Sequence, residues 1–421
     1  MKKLHDYINK FYSDVNNHVI KMGLKRVDNV KRLAGINPKF PIIIVGGTNG
    51  KGSVCAFLET IYSKAGYSVG CYTSPHLFKF NERIKINLEQ LDDKTILKSL
   101  DFIQNKKKSI ELTYFEITTL AAMNIFIEKK IDIAILEVGL GGRLDAVNIF
   151  DSEISIITSL GMDHQEYLGD SIEKIAYEKI GICRPNKNII LNFKNIPNSM
   201  LNSLNDLNVK VSTLNSDYSY KLNSKSYNYI SQNFSIEKLP LPHLNGSNQL
   251  INLTGSLRII DLLQKRFPVE QDAINKGIRE TRIKGRLQVL SIEPYIIADV
   301  AHNVDAAINL YNFINTSRHS GKIFAIFSIL ENKDLKRVLM PFVDIVDEWN
   351  IGEINDSRSQ KIDVIEAKIR ECKNQVLINK FSSLTRAFEN ARKKCNVNDN
   401  IIIFGSFLTV SEIMDGVKFN G

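Results

Sequence analysis

The sequence predicts an α/β protein made of two successive βα bodies. Three observations carry this. Residues 40–67 read as a buried strand, a glycine-rich turn and a helix. Short apolar runs of strand length alternate with segments of helical spacing up to residue 182, and again from residue 295 onward. The chain has 421 residues, room for two domains, and Gly285-Arg286 reads as the linker between them.

Leu4, Ile8 and Tyr12 repeat on one face, which predicts a helix over residues 4–34, stopped by Gly35 and Pro38. Phe40, Ile42, Ile43, Ile44 and Val45 form an apolar run, as in a strand covered on both faces. Gly46, Gly47, Gly50 and Gly52 then crowd a turn around Lys51 and Ser53. Val54, Phe57, Leu58 and Ile61 recur at helical spacing after it. Glycines let backbone N–H groups approach a phosphate closely. The following helix N-terminus favours anions, and Lys51 adds a mobile positive charge. A nucleoside triphosphate site is therefore predicted. The spacing departs from the usual P-loop, since Gly52 stands between Lys51 and Ser53, but the flanking strand and helix supply the context that motif requires.

Further strands are predicted at residues 68–73, 131–138 and 154–159, with helices at 92–105 and 114–129. Polar residues follow each strand: Ser74-Pro75-His76, then Glu137 and a glycine-rich loop to Asp145, then Asp163-His164. In open α/β sheets ligands bind at such strand ends, and a carboxylate beside a glycine-rich loop suits Mg²⁺. The bland readings are a loop-capping glutamate and a satisfied core histidine. Asn81-Glu82-Arg83 reads as a loop. Asp170 is expected to cap a helix at 171–182, with Glu173 at a capping-box position. Lys179 lies late in that helix, where a lysine complements the helix dipole.

Residues 185–240 are rich in asparagine, serine and tyrosine, and short alternating runs predict a few antiparallel strands. A helix restarts near Asn248 and runs to about Gln264, followed by another at 270–280. From 295 the strands fall at 295–300, 322–328, 348–351, 375–378 and 400–404. Helices near 304–315, 333–344, 361–371 and 383–394 separate them, which implies a second, mostly parallel sheet. Asp299, His302 and Asn303 sit just past its first strand.

Composition narrows the function class. No stretch approaches the ~20 apolar residues of a membrane span. The lysine-bearing N-terminus lacks the apolar core of a signal peptide. Five scattered cysteines without a C-x-x-C predict reduced thiols in a cytoplasmic protein. The net charge of +9 admits nucleic acid or anionic small substrates. Basic runs interleaved with aromatics are missing, so no nucleic-acid partner is expected.

The motifs occur in a telling order: residues 47–53 (Gly-Thr-Asn-Gly-Lys-Gly-Ser), 73–77 (Thr-Ser-Pro-His-Leu), 81–84 (Asn-Glu-Arg-Ile), Phe115-Glu116, 137–145 (Glu-Val-Gly-Leu-Gly-Gly-Arg-Leu-Asp), Asp163-His164 with Leu168-Gly169, 178–182 (Glu-Lys-Ile-Gly-Ile) and 299–303 (Asp-Val-Ala-His-Asn). The set resembles folylpolyglutamate synthase and the bifunctional dihydrofolate synthase/folylpolyglutamate synthase, within the Mur ligase superfamily. The likeness spans nearly the whole chain, from residue 23 to residue 406.

That resemblance implies a P-loop-containing, Mur-ligase-like central domain with a small antiparallel β subdomain, residues 1–284. A Rossmann-like C-terminal glutamate-ligase domain, 285–421, follows. It implies that ATP phosphorylates a pterin-linked carboxylate and that L-glutamate then displaces phosphate, giving dihydrofolate or folylpolyglutamate. Thr48, Asn49, Gly50, Lys51, Gly52 and Ser53 would cradle the phosphates. Ser74, Glu137 and His164 would hold Mg²⁺, with a second metal site beside a carbamate on Lys179. Forming a carbamate requires a neutral amine, which burial among apolar side chains promotes. Arg286 and Asp299 match nucleotide contacts, as does Gln249 or Asn252; Asn248 stands where the family's segment has histidine. Lys21, Met22, Gly23 and Leu24, Thr113, Tyr114, Phe115 and Glu116, and Leu144, Asp145 and Ala146 match pteroate-binding loops. His302 and Ser406 would line the glutamate end, with His302, His164, Lys51 and Lys179 as the catalytic set.

The implied active site lies between the two domains, closing to protect the acyl phosphate from water. The implied partners are dihydropteroate or tetrahydrofolate polyglutamate and L-glutamate, with the enzyme a monomer. The +9 charge then steers anionic substrates. Two other readings share the P-loop: a peptidoglycan-type Mur ligase and a nucleotide-binding protein without ligase chemistry. The first is disfavoured because Phe115-Glu116 and the 144–146 loop match folate-type motifs and no UDP-binding domain precedes the P-loop. The second leaves His164 and Lys179 without a task.

Overall fold

The computed structural model describes residues 4, 6–8, 21–232 and 234–417. They divide into two compact units. The first runs to Gly161 and resumes at Leu168–His243 and Gln249–Thr281. The second comprises Met162–Tyr167, Leu244–Asn248 and the chain from Arg282 onward. Two short stretches ahead of residue 285 thus belong to the second unit, and one of them carries Asp163 and His164.

The first unit is built on a sheet of order β4-β3-β2-β5-β1-β6-β7-β8. Its strands are β1 (Ile42–Gly46), β2 (Val69–Tyr72), β3 (Ile84–Ile86), β4 (Glu89–Gln90), β5 (Ile133–Glu137), β6 (Ile154–Ile157), β7 (Asn188–Leu191) and β8 (Lys210–Thr213). β1 is parallel to β5 on one side and to β6 on the other. The β1–β2 connection passes over β5 to one side, whereas β6, β7 and β8 add on the opposite side, so the order reverses beside β1. Crevices form at the carboxyl ends of strands at such a reversal. Every residue of β1 and β5 is buried, which is why both read as apolar runs, β5 ending in Glu137.

Four expectations need correction here. Residues 21–24 are not helical, and the helix starts at Lys25 and ends at Leu33. Gly23 takes φ +131°, outside the helical range; Tyr12 lies outside the described residues. Asn81, Glu82 and Arg83 belong to a 3₁₀ turn, Phe80–Arg83, whose Glu82 carboxylate accepts three backbone N–H groups, from Leu77, Phe78 and Lys79. The cap of the helix Ile172–Ile180 is Ser171, whose hydroxyl accepts the Lys174 N–H, so Glu173 falls one residue short of the capping-box position; Asp170 instead pairs with Lys174 at 2.8 Å. Finally, β7 and β8 are parallel additions to the main sheet, joined by the helix Asn198–Asp206, which buries Met200 and Leu204 one turn apart. The antiparallel strands come later, as β9 (Tyr218–Leu222), β10 (Ser226–Ser231) and β11 (Ile236–Pro240).

The second unit holds a sheet of order β12-β13-β17-β14-β15-β16. These are β12 (Gln288–Ser291), β13 (Tyr295–Ala298), β14 (Ile323–Phe327), β15 (Glu348–Gly352), β16 (Leu377–Phe381) and β17 (Asn400–Phe404). All pairs are parallel except the β12–β13 hairpin, and β12 is a strand the sequence reading lacks. β16 starts two residues later than expected, because this edge strand is half exposed and carries no clean apolar run. Trp349, Phe327, Phe342 and Phe404 centre the core.

Candidate active site

The first unit's site grows from the carboxyl end of β1. Gly50 caps the helix Lys51–Lys64 in the left-handed conformation, with φ +86°. A side chain there would meet Asn252 Oδ1 at 2.5 Å, so both backbone and space demand glycine. A glycine cap also leaves the first-turn N–H groups of the helix uncovered by its own side chain. The residues just past β6 hold the loop in shape. The Thr48 N–H donates to Ser159 O at 3.0 Å and the Asn49 N–H to Ser159 Oγ at 2.7 Å, while Asn49 O accepts the Thr158 hydroxyl at 2.6 Å. Lys51 Nζ donates to Gly47 O at 3.1 Å and Thr48 O at 3.2 Å, which parks the ammonium over the loop. Asn252 Nδ2 donates to Gln249 Oε1 at 3.2 Å. Of those two candidates Asn252 is the one nearest Gly50, and it is hydrogen-bonded to Gln249.

One strand over, Glu137 ends β5, 5% exposed, and its Oε2 accepts the Ser74 N–H at 3.0 Å. A Cβ on Gly52 would lie 4.0 Å from Glu137 Oε1. Loop, carboxylate and the backbone of Ser74 therefore share one strand-end corner. Among the described residues no three His, Cys, Asp or Glu side chains form a metal cluster. Glu137 Oε1 and the Ser74 hydroxyl are hard oxygen donors, so this corner fits Mg²⁺ once phosphate oxygens and water complete the shell.

Lys179 is locked to the loop that follows Glu137. The Arg143 N–H donates to Glu178 O at 2.7 Å. A Cβ on Gly142 would sit 2.8 Å from that same oxygen and 3.0 Å from Lys179 O, so only glycine permits this approach. Lys179 itself is 3% exposed, in the last turn of its helix with Ile175, Ala176 and Ile180. A lysine kept for the helix dipole alone would stay in water.

The pteroate segments divide by role. Residues 22–26, Asn29 and Ile110 line a cavity of about 380 Å³. Thr113 and Glu116 form a capping box, and Glu116 also receives Arg26 Nε at 3.0 Å. The Phe115 ring packs against Gly139, and Arg83 stands over the Tyr114 ring at 5.5 Å. Arg83 Nε donates to His76 Nδ1 at 2.8 Å, and burial together with that guanidinium pushes the imidazole down to about 3. Asp145, between Leu144 and Ala146, accepts the Leu140 N–H at 2.8 Å and the Val147 N–H at 3.0 Å. Burial pushes its carboxyl up to about 7, against those N–H groups and the Lys51 ammonium. The folded protein therefore holds this proton more tightly than the unfolded chain, and stability falls as pH rises between 3.8 and about 7. In thermal melts, the stability advantage of the wild type over Asp145→Asn is expected to shrink across that interval. A constant difference would show that Asp145 does not titrate there.

In the second unit, Asp299 follows β13 and accepts the Leu287 and Ala301 N–H groups, each at 2.7 Å. Its burial pushes the carboxyl up, opposed first by the Arg286 charge. His302 Nδ1 donates to Val300 O at 2.8 Å, which turns Nε2 toward Asp163 Oδ2 at 3.7 Å. The rings of Phe407 and His302 are 6.2 Å apart, and Arg286 lies 5.3 Å from the same Phe407 ring. Ser406 caps the helix Phe407–Gly416, its oxygen accepting the Thr409 N–H at 3.0 Å. His164 takes φ +52° beside Asp163. The sequence reading missed Lys333, whose ammonium is 2.7 Å from Asp163 Oδ1. Its position in the segment that follows the parallel strand β14 was the available signal.

Comparison with known proteins places this geometry. The Mur ligase middle domain matches residues 45–259, and the Mur ligase glutamate ligase domain matches residues 285–407. A dihydrofolate synthase/folylpolyglutamate synthase of Haemophilus influenzae is 34% identical, with 93% of each chain covered. This chain belongs to the dihydrofolate synthase/folylpolyglutamate synthase group of Mur ligases. It is an ATP-dependent ligase by family. Among solved structures, the E. coli FolC complex with DHPP and ADP superposes with a TM-score of 0.92 at 30% identity, covering 99% of this chain and 97% of that one. A bifunctional folylpolyglutamate synthase/dihydrofolate synthase bound to Mn, AMPPNP and L-glutamate gives 0.90 at 32%, covering 99% and 98%. Among the described residues no helix is long and apolar enough to cross a membrane.

Proposed function

We propose that this ligase joins L-glutamate to dihydropteroate and to the glutamate tail of folates, at the expense of ATP. The supporting observation is the corner where the glycine loop, Lys51 and the buried Glu137, hydrogen-bonded to the Ser74 N–H, meet. It offers phosphate donors and a metal carboxylate side by side, in a chain matched over its length by enzymes named for both activities. The loop N–H groups and Lys51 would hold the triphosphate in line with the acceptor carboxylate. Transfer of the γ-phosphoryl group to that carboxylate gives an acyl phosphate and ADP. The glutamate amine then attacks the acyl carbon, the C–O bond to phosphate breaks, and the amine proton is lost. Positioning and charge neutralisation supply most of such a rate.

Glu137 and Ser74 would hold Mg²⁺ with the nucleotide, and His164 is the proposed nitrogen ligand. Mg²⁺ bound there neutralises charge on the phosphates. A carbamate on Lys179 would add two anionic oxygens for a second divalent ion. Residues 21–24, 113–116 and 144–146 are assigned to the pteroate, with Asp145 and Glu116 shaping the loops. Asp299, Arg286 and Asn252 are assigned to the nucleotide, and His302 to the glutamate. We take the enzyme to be a cytoplasmic monomer.

Phosphate release by purified protein is expected only when ATP, glutamate and either dihydropteroate or tetrahydrofolate are all present. Mass spectrometry would read the product as one added glutamate. Release that ignores both organic substrates would discard the ligase reading in favour of a plain nucleotide hydrolase.

A further inference from the structure

We propose that Lys333 is a positioning residue for the ligation, acting through Asp163 on the imidazoles of His302 and His164. This rests on the ligase reading above. Lys333 follows β14, and its side chain is 6% exposed. Its ammonium lies 2.7 Å from Asp163 Oδ1, which also accepts the His164 N–H at 2.9 Å. The other oxygen, Oδ2, accepts Asn303 Nδ2 at 3.2 Å and faces His302 Nε2 at 3.7 Å and His164 Nε2 at 3.8 Å. One carboxylate therefore gathers groups from the loops after β6, β13 and β14. Next to it, Asn332 Nδ2 donates to Glu166 Oε1 at 3.1 Å, a second tie on the same segment.

The two imidazoles need such a tie. His164 sits at φ +52°, a conformation a non-glycine residue keeps only when its surroundings impose it. His302 is fixed at Nδ1 by Val300 O, but its Nε2 direction depends on where Asp163 stands. Lys333 fixes Asp163 from the opposite oxygen. Removing one partner of a buried pair leaves the other charge uncompensated and lowers stability. A purely structural Lys333 would therefore lose stability on substitution by methionine yet leave the two imidazoles where they are, whereas loss of a positioning Lys333 would also move them.

Full-length Lys333→Met and Lys333→Arg proteins separate these cases. Histidine side-chain ¹H–¹⁵N spectra of the unliganded protein report the imidazoles directly, and steady-state kinetics report turnover. Lys333→Met is expected to move the His302 and His164 resonances. It should cut kcat about tenfold or more and leave the KM for ATP within about twofold, because a misplaced group costs rate rather than nucleotide affinity. Lys333→Arg should restore both signals in part, since it keeps a cation on Asp163. Should Lys333→Met fail to fold, Asp163→Asn is expected to move the same two resonances. Unmoved resonances in a folded variant, or unchanged kcat, overturn the proposal. If the resonances move but the wild type shows no glutamate ligation, the positioning stands and the ligase reading falls.

Discussion

Lys179→Ala is expected to lower amide formation by about 10²–10³-fold or more, the loss typical of removing one preorganised charge from a transition state. The reason is placement. Lys179 is 3% exposed, and its helix is fastened to the loop after Glu137 by the Arg143–Glu178 backbone bond and the close pass at Gly142. A lysine serving only the helix dipole would lose about 0.3–1 kcal/mol of stability on substitution and no turnover. Added acetate or formate should rescue the variant in part, by supplying the carboxylate oxygens that a carbamate provides. Full turnover without the lysine would remove the carbamate from the mechanism.

Lys51→Met should lower kcat/KM for ATP by about 10²–10³-fold while leaving the melting temperature near that of the wild type. The ammonium rests on two carbonyls of its own loop, Gly47 O and Thr48 O. A triphosphate offers stronger acceptors in the same place, so the side chain exchanges partners without a large rearrangement. Those two carbonyls suit a compact point charge, and Lys51→Arg should not rescue, because a planar guanidinium presents its donors differently. ATP titration of the three proteins checks this. A Lys51→Met enzyme with unchanged kcat/KM would move phosphate binding away from this loop.

Legibility in the sequence followed the length scale of the signal. β1, β5 and β17 were readable because strands buried on both faces carry near-continuous apolar runs, broken here only by Glu137 and Asn400 at strand ends. β12 was missed and β16 was placed two residues early, because edge strands alternate weakly or pair through a hairpin that periodicity does not reveal. β7 and β8 read as antiparallel because their sequences are short and polar-flanked; the crossover helix between them makes them parallel. The cap at Ser171 rather than Asp170 was a choice between adjacent side chains, which only backbone conformation settles.

The chain by itself determined the glycine loop, the apolar strands around it and the order of polar residues at their ends, because local sterics and burial write those features residue by residue. Tertiary structure alone decided that Asn252 rather than Gln249 abuts Gly50, that Ser406 caps a helix, and that Asp163 and Lys333, 170 positions apart, share one ion pair. Contacts of that kind depend on which strands become neighbours in a sheet, and strand order is a property of the whole fold rather than of any window of sequence.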